Sequence, residues 1–316
     1  MIAFIFPGQG AQKVGMGRAL AAGRDVDLGV VLVGPVARLE AELGAHPVVD
    51  RRRVRLVDAP DVVTMDESPS AALRRKPRAS IRIAAETVAR GEAAALFSAG
   101  QTGATVIAAH AAFGMLAGVD RPALAATIPT PHRPAVLLDV GASVECRPQH
   151  LLQFAVMGRV YAKVALGIDE PRVGLLSIGE EAIKGNELTR EAHRLLKAAL
   201  PSFIGNVEAR DVYRGHADVI VCDGFTGNVA LKISEGLVEV IEGLLSHESR
   251  ELSVLTDYAE HGGAPLLGVN GIAIVGHGRS NPTAVRNAVV MAHRFASDRI
   301  MRRIEGDIAA CVVPHQ

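Results

Sequence analysis

In the segment GEEAIKGNEL (179–188) Lys184 lies between the two carboxylates of Glu180 and Glu181 and the amide of Asn186. Such a lysine is ordinarily half of a solvated ion pair. At the end of a buried strand it could instead hold an anionic nucleophile, with the carboxylates fixing the cation. Two glycine-rich turns suggest where an anion would sit. SAGQTGAT (98–105) offers Ser98, Gly100, Gln101, Thr102 and Gly103, and DGFTGNVALK (223–232) offers Asp223, Thr226, Gly227 and Asn228. Backbone N–H groups left unpaired where a strand hands over to a helix attract phosphate, so the two turns together resemble a cradle. Glycine also caps helices, which would explain one such turn by itself; several, each after an apolar run, point to a ligand. His277, in VGHGRSN, directly follows the last apolar run and is a candidate general acid.

Other chemistries lack their residues. A nucleophile elbow needs a serine with glycine two before and two after it. Ser98 has Leu96 before it, Ser143 has Glu145 after it, and Ser280 has Pro282 after it. The phosphate loop GxxxxGK[ST] is absent, and Gly8-Gln9-Gly10 is followed by Lys13 where a dinucleotide fingerprint needs glycine or alanine. Cys146 and His150 are four residues apart, but no second pair has ligand spacing, so no metal is expected. Cys146, Cys222 and Cys311 form no CxxC, and the opening apolar residues run straight into Pro7-Gly8. A reduced, cytoplasmic protein without signal peptide or membrane span is the expectation.

The turns can converge only if the apolar runs between them share one sheet. Aromatic residues are 3% of the 316-residue chain and Trp is absent, so the core must be aliphatic, which favours a parallel sheet wrapped by helices. The runs IAFIF, LGVVLVG, VRLVDA, AAALF, RPALAAT, AVLLDV, RVGLLSI, DVIVC and GIAIVG alternate with helical spacing. This predicts about nine or ten strands in a doubly wound, mostly parallel α/β sheet with helices on both faces. Between Val229 and Leu245, apolar residues at 229, 233, 237, 240, 241, 244 and 245 form a helical stripe opposite Glu235, Glu239 and Glu242. It is read as a helix packed on the core or on a second subunit.

Lys plus Arg and Asp plus Glu balance at 34 each, so no global field draws the chain to nucleic acid or an anionic membrane. An acidic partner must meet a local patch. RRRVR (51–55) and LRRKPR (73–78) are the densest basic clusters, and Arg74, Arg75 and Lys76 are favoured over Arg51, Arg52 and Arg53.

The segments SAGQTGA, LLDVGASVECRPQHLLQFAVMG, PRVGLLSIGEEAIKGNEL, FIGNVEARD, VCDGFTGNVALK and GGAPLLGVNG, in this order between about Leu28 and Ala296, resemble the phosphate acyltransferases of bacterial phospholipid synthesis. The resemblance implies a fold related to the isocitrate and isopropylmalate dehydrogenases and to phosphotransacetylase. It also implies a homodimer that converts acyl carrier protein thioester and inorganic phosphate to acyl phosphate and free carrier, without a cofactor. Phosphate is then the nucleophile, which accounts for the missing serine. Lys184 and Asn228 are assigned to phosphate or oxyanion contacts and His277 to the acid. Asp139, Gly141, Gly262 and Gly263 join the residues of the two turns and of the 180–186 loop as substrate-binding candidates.

The opening IAFIFPGQGAQKVGMGRAL (2–20) is similar instead to malonyl-CoA:acyl carrier protein transacylases, so residues 1–27 are read as an atypical first strand and loop. Residues 28–316 are read as the phosphate acyltransferase-like unit, in one piece or in two lobes around a crevice. FPGQG stands where that family carries DAMGGD, and Gln101 where it usually carries asparagine. The 245–262 segment is shorter than the resemblance leads one to expect, so membrane association is expected to be at most weak and peripheral. An acyl-CoA phosphotransacetylase and a non-catalytic binding module are the alternatives.

Overall fold

In the computed structural model, which describes residues 2–5, 29–45, 50–244, 262–276 and 280–311, every apolar run named above is a strand. Along the chain the strands are β1 Ile2–Ile5, β2 Val30–Gly34, β3 Val54–Asp58, β4 Ala95–Ser98, β5 Ala123–Ile128, β6 Ala135–Leu138, β7 Val173–Leu176, β8 Phe203–Val207, β9 Val219–Val221, β10 Ala264–Leu267 and β11 Ile272–Val275. The helices are α1 Val36–Gly44, α2 Pro69–Arg75, α3 Ser80–Ala89, α4 Thr102–Phe113, α5 Pro148–Leu166, α6 Glu187–Ala199, α7 Gly224–Leu244, α8 Pro282–Ser297 and α9 Ile300–Ala310. The architecture is a mixed α/β fold of largely parallel sheet flanked by helices.

Two strands exceed the sequence reading. β8 contains Gly205 and Asn206, and its pairing with β7 is irregular at Val173/Gly174, so no clean alternation marks it. β10 is short and carries Pro265.

The chain divides into two compact units. In the first, Met1–Gly114 with Tyr258–Asp298, the strand order is β3-β2-β1-β4-β11-β10. All neighbours are parallel except β10 with β11. In the second, Met115–Asp257 with Arg299–Gln316, the order is β5-β6-β9-β7-β8, parallel except β5 with β6. Parallel order places the turns after β6, β9 and β7 side by side at one carboxyl edge, as it places those after β4 and β11 in the first unit.

Both cores are aliphatic. In the second unit α5 buries Leu151, Leu152, Phe154 and Met157 against the sheet, and Gly158 admits Val219, whose Cγ1 would lie 2.5 Å from an added Cβ. The opposite end of this sheet is tied by Asp218, which is 2% exposed and receives Arg172 Nε at 2.9 Å and Arg133 Nη2 at 2.9 Å. Burial alone would raise the pKa of Asp218, but the hydrogen bonds and charge of Arg172, with the charge of Arg133, hold it below its ordinary value.

The stripe on α7 is not covered by the core. Val229, Ile233, Leu237, Val240 and Ile241 are exposed, Ile233 by 66%, as is Phe225 in the first turn. Among the described residues, therefore, no part of the core covers these side chains. A helix can carry a periodic apolar face that its own chain leaves open, because periodicity does not say which surface will cover it.

Candidate functional site

The carboxyl edge of the second unit is built around Asp139, which directly follows β6 and is fully buried. Its Oδ1 accepts N–H groups from Leu124 (2.8 Å), Gly141 (3.0 Å) and Ala142 (3.0 Å), and its Oδ2 accepts that of Ser143 (2.6 Å). Four donors occupy the carboxylate, so Asp139 shapes the turn and is not presented to a substrate, contrary to the sequence expectation. Burial nevertheless lifts its pKa from 3.8 to about 6 against the pull of those donors.

The first turn of α7 lies directly on this structure. A Cβ on Gly227 would stand 1.9 Å from the Asp139 carbonyl oxygen, and one on Gly224 would stand 2.5 Å from Asp139 Oδ2. Two glycines three apart in DGFTG give the helix a bare face that can sit on the neighbouring turn. Asp223 and Thr226, expected to touch substrate, form the helix cap: Asp223 Oδ1 accepts Thr226 N–H at 2.9 Å, and Thr226 Oγ1 donates to Oδ2 at 2.7 Å. Asn228 is different. It is exposed, its side chain has no hydrogen bond among the described residues, and its Cβ, Cγ and Oδ1 lie 3.6 Å from where Gly141 would carry a Cβ. The fold thus brings Asn228 and the Gly141 turn together.

Next along the edge, the loop between β7 and α6 presents Lys184, which is exposed. Among the described residues neither Glu180 nor Glu181 forms an ion pair with it; the Glu180 carboxylate is 4.0 Å from Arg210. The carboxylates therefore do not hold the cation as expected. Asn186 is also engaged, as N-cap of α6, with its Oδ1 accepting Thr189 N–H at 2.9 Å. Lys184 is left as the unengaged cation of the loop. The sequence reading missed two buried polar residues beneath it, His193 and Asn206, each 8% exposed. The only signal for them was their polarity inside otherwise amphipathic segments.

In the first unit, the turn after β4 is similarly self-contained. Ser98 is 2% exposed, and its Oγ accepts Gly100 N–H at 3.2 Å and bonds Thr105 Oγ1 at 3.0 Å. Gln101 Nε2 reaches the carbonyls of Thr64 (3.1 Å), Met65 (3.2 Å) and Glu67 (2.8 Å), so its amide holds the 64–67 segment instead of an anion. Thr102 is exposed at the start of α4, where the first helical N–H groups lack intrahelical partners. Gly103 lies against Pro69 of α2. Gly276 N–H donates to Ser98 O at 2.7 Å, joining the turns after β11 and β4. His277 lies outside the described residues. Gly262 and Gly263 approach the backbone of α8 and of Val275, with Gly262 leaving only 2.3 Å between an added Cβ and Ala288 N. Both glycines serve that approach.

The basic clusters are partly neutralised. Lys76 donates to Glu67 Oε2 at 2.5 Å and to Val62 O at 2.7 Å, which removes it from the patch expected with Arg74 and Arg75. Arg52 pairs with Asp50 at 3.1 Å and Arg55 with Glu92 at 2.6 Å.

Two thiols flank the Asp139 turn. Cys146 Sγ donates to Ser143 O at 3.3 Å and Cys222 Sγ to Asp139 O at 3.5 Å. Burial, assisted by the Asp139 charge, pushes Cys146 up to about 12 and raises Cys222 well above the usual thiol range. Neither is a nucleophile at neutral pH. Iodoacetamide at pH 7 is expected to leave both unlabelled in the folded protein and to label them in urea; mass spectrometry of the peptides measures this, and rapid native labelling of Cys146 would contradict it. Among the described residues no three His, Cys, Asp or Glu side chains gather to hold a metal ion, and no helix is long and apolar enough to cross a membrane.

Residues 9–303 match the family described as fatty acid synthesis protein. A phosphate acyltransferase of Geobacter sp. (strain M21) is 46% identical over 309 residues, covering 92% of this chain and 88% of its own. That of Pelotomaculum thermopropionicum is 45% identical over 312 residues, covering 93% and 91%. The crystal structure of a phosphotransacetylase from Streptococcus pyogenes superposes with a TM-score of 0.68 at 16% identity over 94% of both chains. A 4-hydroxythreonine-4-phosphate dehydrogenase from Klebsiella pneumoniae gives 0.54 at 14% identity, covering 94% of this chain and 99% of its own. These two likenesses concern the fold. By identity and coverage along nearly its whole length, the chain belongs to the phosphate acyltransferase family.

Proposed function

We propose that the chain transfers the acyl group of an acyl carrier protein thioester to inorganic phosphate, yielding acyl phosphate for glycerophospholipid synthesis and free carrier. A phosphate oxygen attacks the thioester carbonyl carbon, the new C–O bond forms, the C–S bond breaks, and the departing thiolate takes a proton. Lys184 holds the phosphate by charge. The Asn228 amide donates to the carbonyl oxygen as it becomes an oxyanion, and His277 supplies the proton. The observation that carries this reading is a pair of polar heads, Lys184 and Asn228, unengaged among the described residues, on neighbouring strand-end turns of a family member that offers no activated thiol there. No acyl-enzyme is formed.

Incubation with palmitoyl carrier protein and phosphate tests this. Acyl phosphate and free carrier thiol should appear together, with no mass added to the protein. A stable acyl adduct on any serine, or no turnover with phosphate, would overturn the proposal. Faster reaction with acyl-CoA than with the carrier thioester would favour a phosphotransacetylase-like activity instead, a reading supported by the fold of the streptococcal phosphotransacetylase.

The carrier is acidic, and Arg74 and Arg75 are exposed on α2. Arg74→Glu with Arg75→Glu is expected to weaken carrier binding about tenfold or more at low salt, to flatten its salt dependence and to spare phosphate binding. Lys76 is left intact because it is half-buried and ties Glu67 to Val62 O, whereas Arg75 is exposed and reaches Glu67 only at 3.9 Å. Binding that does not change at low salt would move the patch to Arg51–Arg53.

A homodimer is proposed on the open α7 stripe, and the protein is proposed to work in the cytoplasm, with no nucleic acid partner. Ile233→Glu should convert dimer to monomer in sedimentation velocity; a wild-type monomer, or a dimer indifferent to this charge, would reject the stripe as the interface.

A further inference from the structure

Something must hold Lys184 where it can meet an anion, since neither glutamate of its loop pairs with it. We infer that Asn206, oriented by His193, is the positioning residue of the Lys184 loop; this rests on the reading of Lys184 as a phosphate contact. Asn206 is on β8 and its side chain points under the loop. Its Nδ2 donates to Gly179 O at 3.2 Å and to Glu181 O at 2.9 Å. The Glu181 carbonyl also accepts the backbone N–H of Lys184 itself, at 2.9 Å. One carbonyl oxygen therefore joins the buried amide to the residue that carries the cation.

The chemistry of the amide orients the whole chain of contacts. Two carbonyl oxygens face one end of the Asn206 side chain, so that end is the NH2 group and the other is the acceptor. His193 Nδ1 lies 2.8 Å from that acceptor and must carry a proton. The imidazole is itself fixed: it sits on α6 with its ring edge-on to Phe203, centroids 5.1 Å apart. Both ends of the loop are anchored separately, by Ser177 N–H on Val207 O at 2.9 Å and by the Asn186 cap. Asn206 is thus the buried side chain that grips the middle, where the other side-chain contacts are the longer ones of Ser177 Oγ on Lys184 O at 3.5 Å and Arg190 Nη1 on Gly185 O at 3.4 Å. An amide does this without adding a charge that would compete with an anion for Lys184, which a carboxylate in the same place would do.

Asn206→Ala in the full-length protein is the test, with two readouts. Hydrogen exchange in the peptide spanning 177–186 should quicken by at least about tenfold while that of α5 stays unchanged. The kcat/KM for phosphate should fall by about 30- to 100-fold, but by less than about threefold when Lys184 is already alanine, because the residue acts through Lys184. Unchanged exchange, or an equal loss of activity in both backgrounds, would overturn the inference. The exchange readout stands even if Lys184→Ala alone keeps full activity, which would sink the reading of Lys184 and not the grip on its loop. Should Asn206→Ala fail to fold, His193→Leu and His193→Asn decide the question. Asparagine restores a donor where Nδ1 stood and should return exchange and kcat/KM to near wild type, whereas leucine should reproduce the loss. Equal behaviour of the two variants would reject the role of His193.

Discussion

Lys184→Ala is expected to lower phosphate-dependent acyl transfer by about 10²- to 10³-fold, the range seen when a preorganised group facing transition-state charge is removed. The melting temperature should move by less than about 3 °C, because Lys184 is exposed and forms no ion pair among the described residues, and exposed charges contribute about 0–1 kcal/mol. The contrast between the two measurements carries the test. Steady-state kinetics with phosphate varied at saturating carrier thioester, beside a thermal melt, separates the outcomes. Retained turnover with a large loss of melting temperature would make Lys184 structural. Asn228→Ala should behave in the same way with a smaller loss of rate, because a neutral amide donates one hydrogen bond where the lysine brings a full charge.

The opposite pattern is expected at Asp139, where removal should cost stability far more than it alters the chemistry. Asp139→Ala leaves four N–H groups, those of Leu124, Gly141, Ala142 and Ser143, without an acceptor in a buried turn. Each buried unsatisfied donor costs about 1–3 kcal/mol, and relaxation of the turn makes the sum less than additive, so a loss of about 3–5 kcal/mol is expected in urea unfolding. The acidity of this group adds a pH signature. Its folded pKa is raised, from 3.8 to about 6, so the native state holds the proton more tightly than the unfolded chain does. Its contribution to stability is therefore fully present below about pH 4 and declines by about 3 kcal/mol as the pH rises through 6. Asp139→Asn, which cannot titrate, should lose this slope. Wild type and Asn variant with parallel stability curves between pH 4 and 7 would show that Asp139 does not titrate in that window.

The two residues differ in a way that residue type alone does not reveal. Lysine, aspartate, asparagine and threonine beside glycine all read as ligand groups in the sequence, and the glycine-rich turns do lie at strand ends. Apolar runs and their alternation with helical spacing were enough to locate nine strands and a mostly parallel sheet, because burying an aliphatic stripe leaves few alternatives. They were also enough to identify the family, through motifs spread along the chain. What they could not determine was which polar heads stay free. Asp223, Thr226, Asn186, Ser98 and Gln101 close hydrogen bonds within their own turns or to a neighbouring segment, since strand-end backbone groups must be paired once they are out of water. Whether a given side chain meets that need or is left for a ligand depends on distances between segments far apart in the chain, such as Gly227 on Asp139 or Gln101 on Thr64. The same holds for the α7 stripe, whose period was legible and whose exposure was not. It holds for Asn206 as well, whose amide becomes a grip only because β8 pairs beside β7 and so carries it under the Lys184 loop.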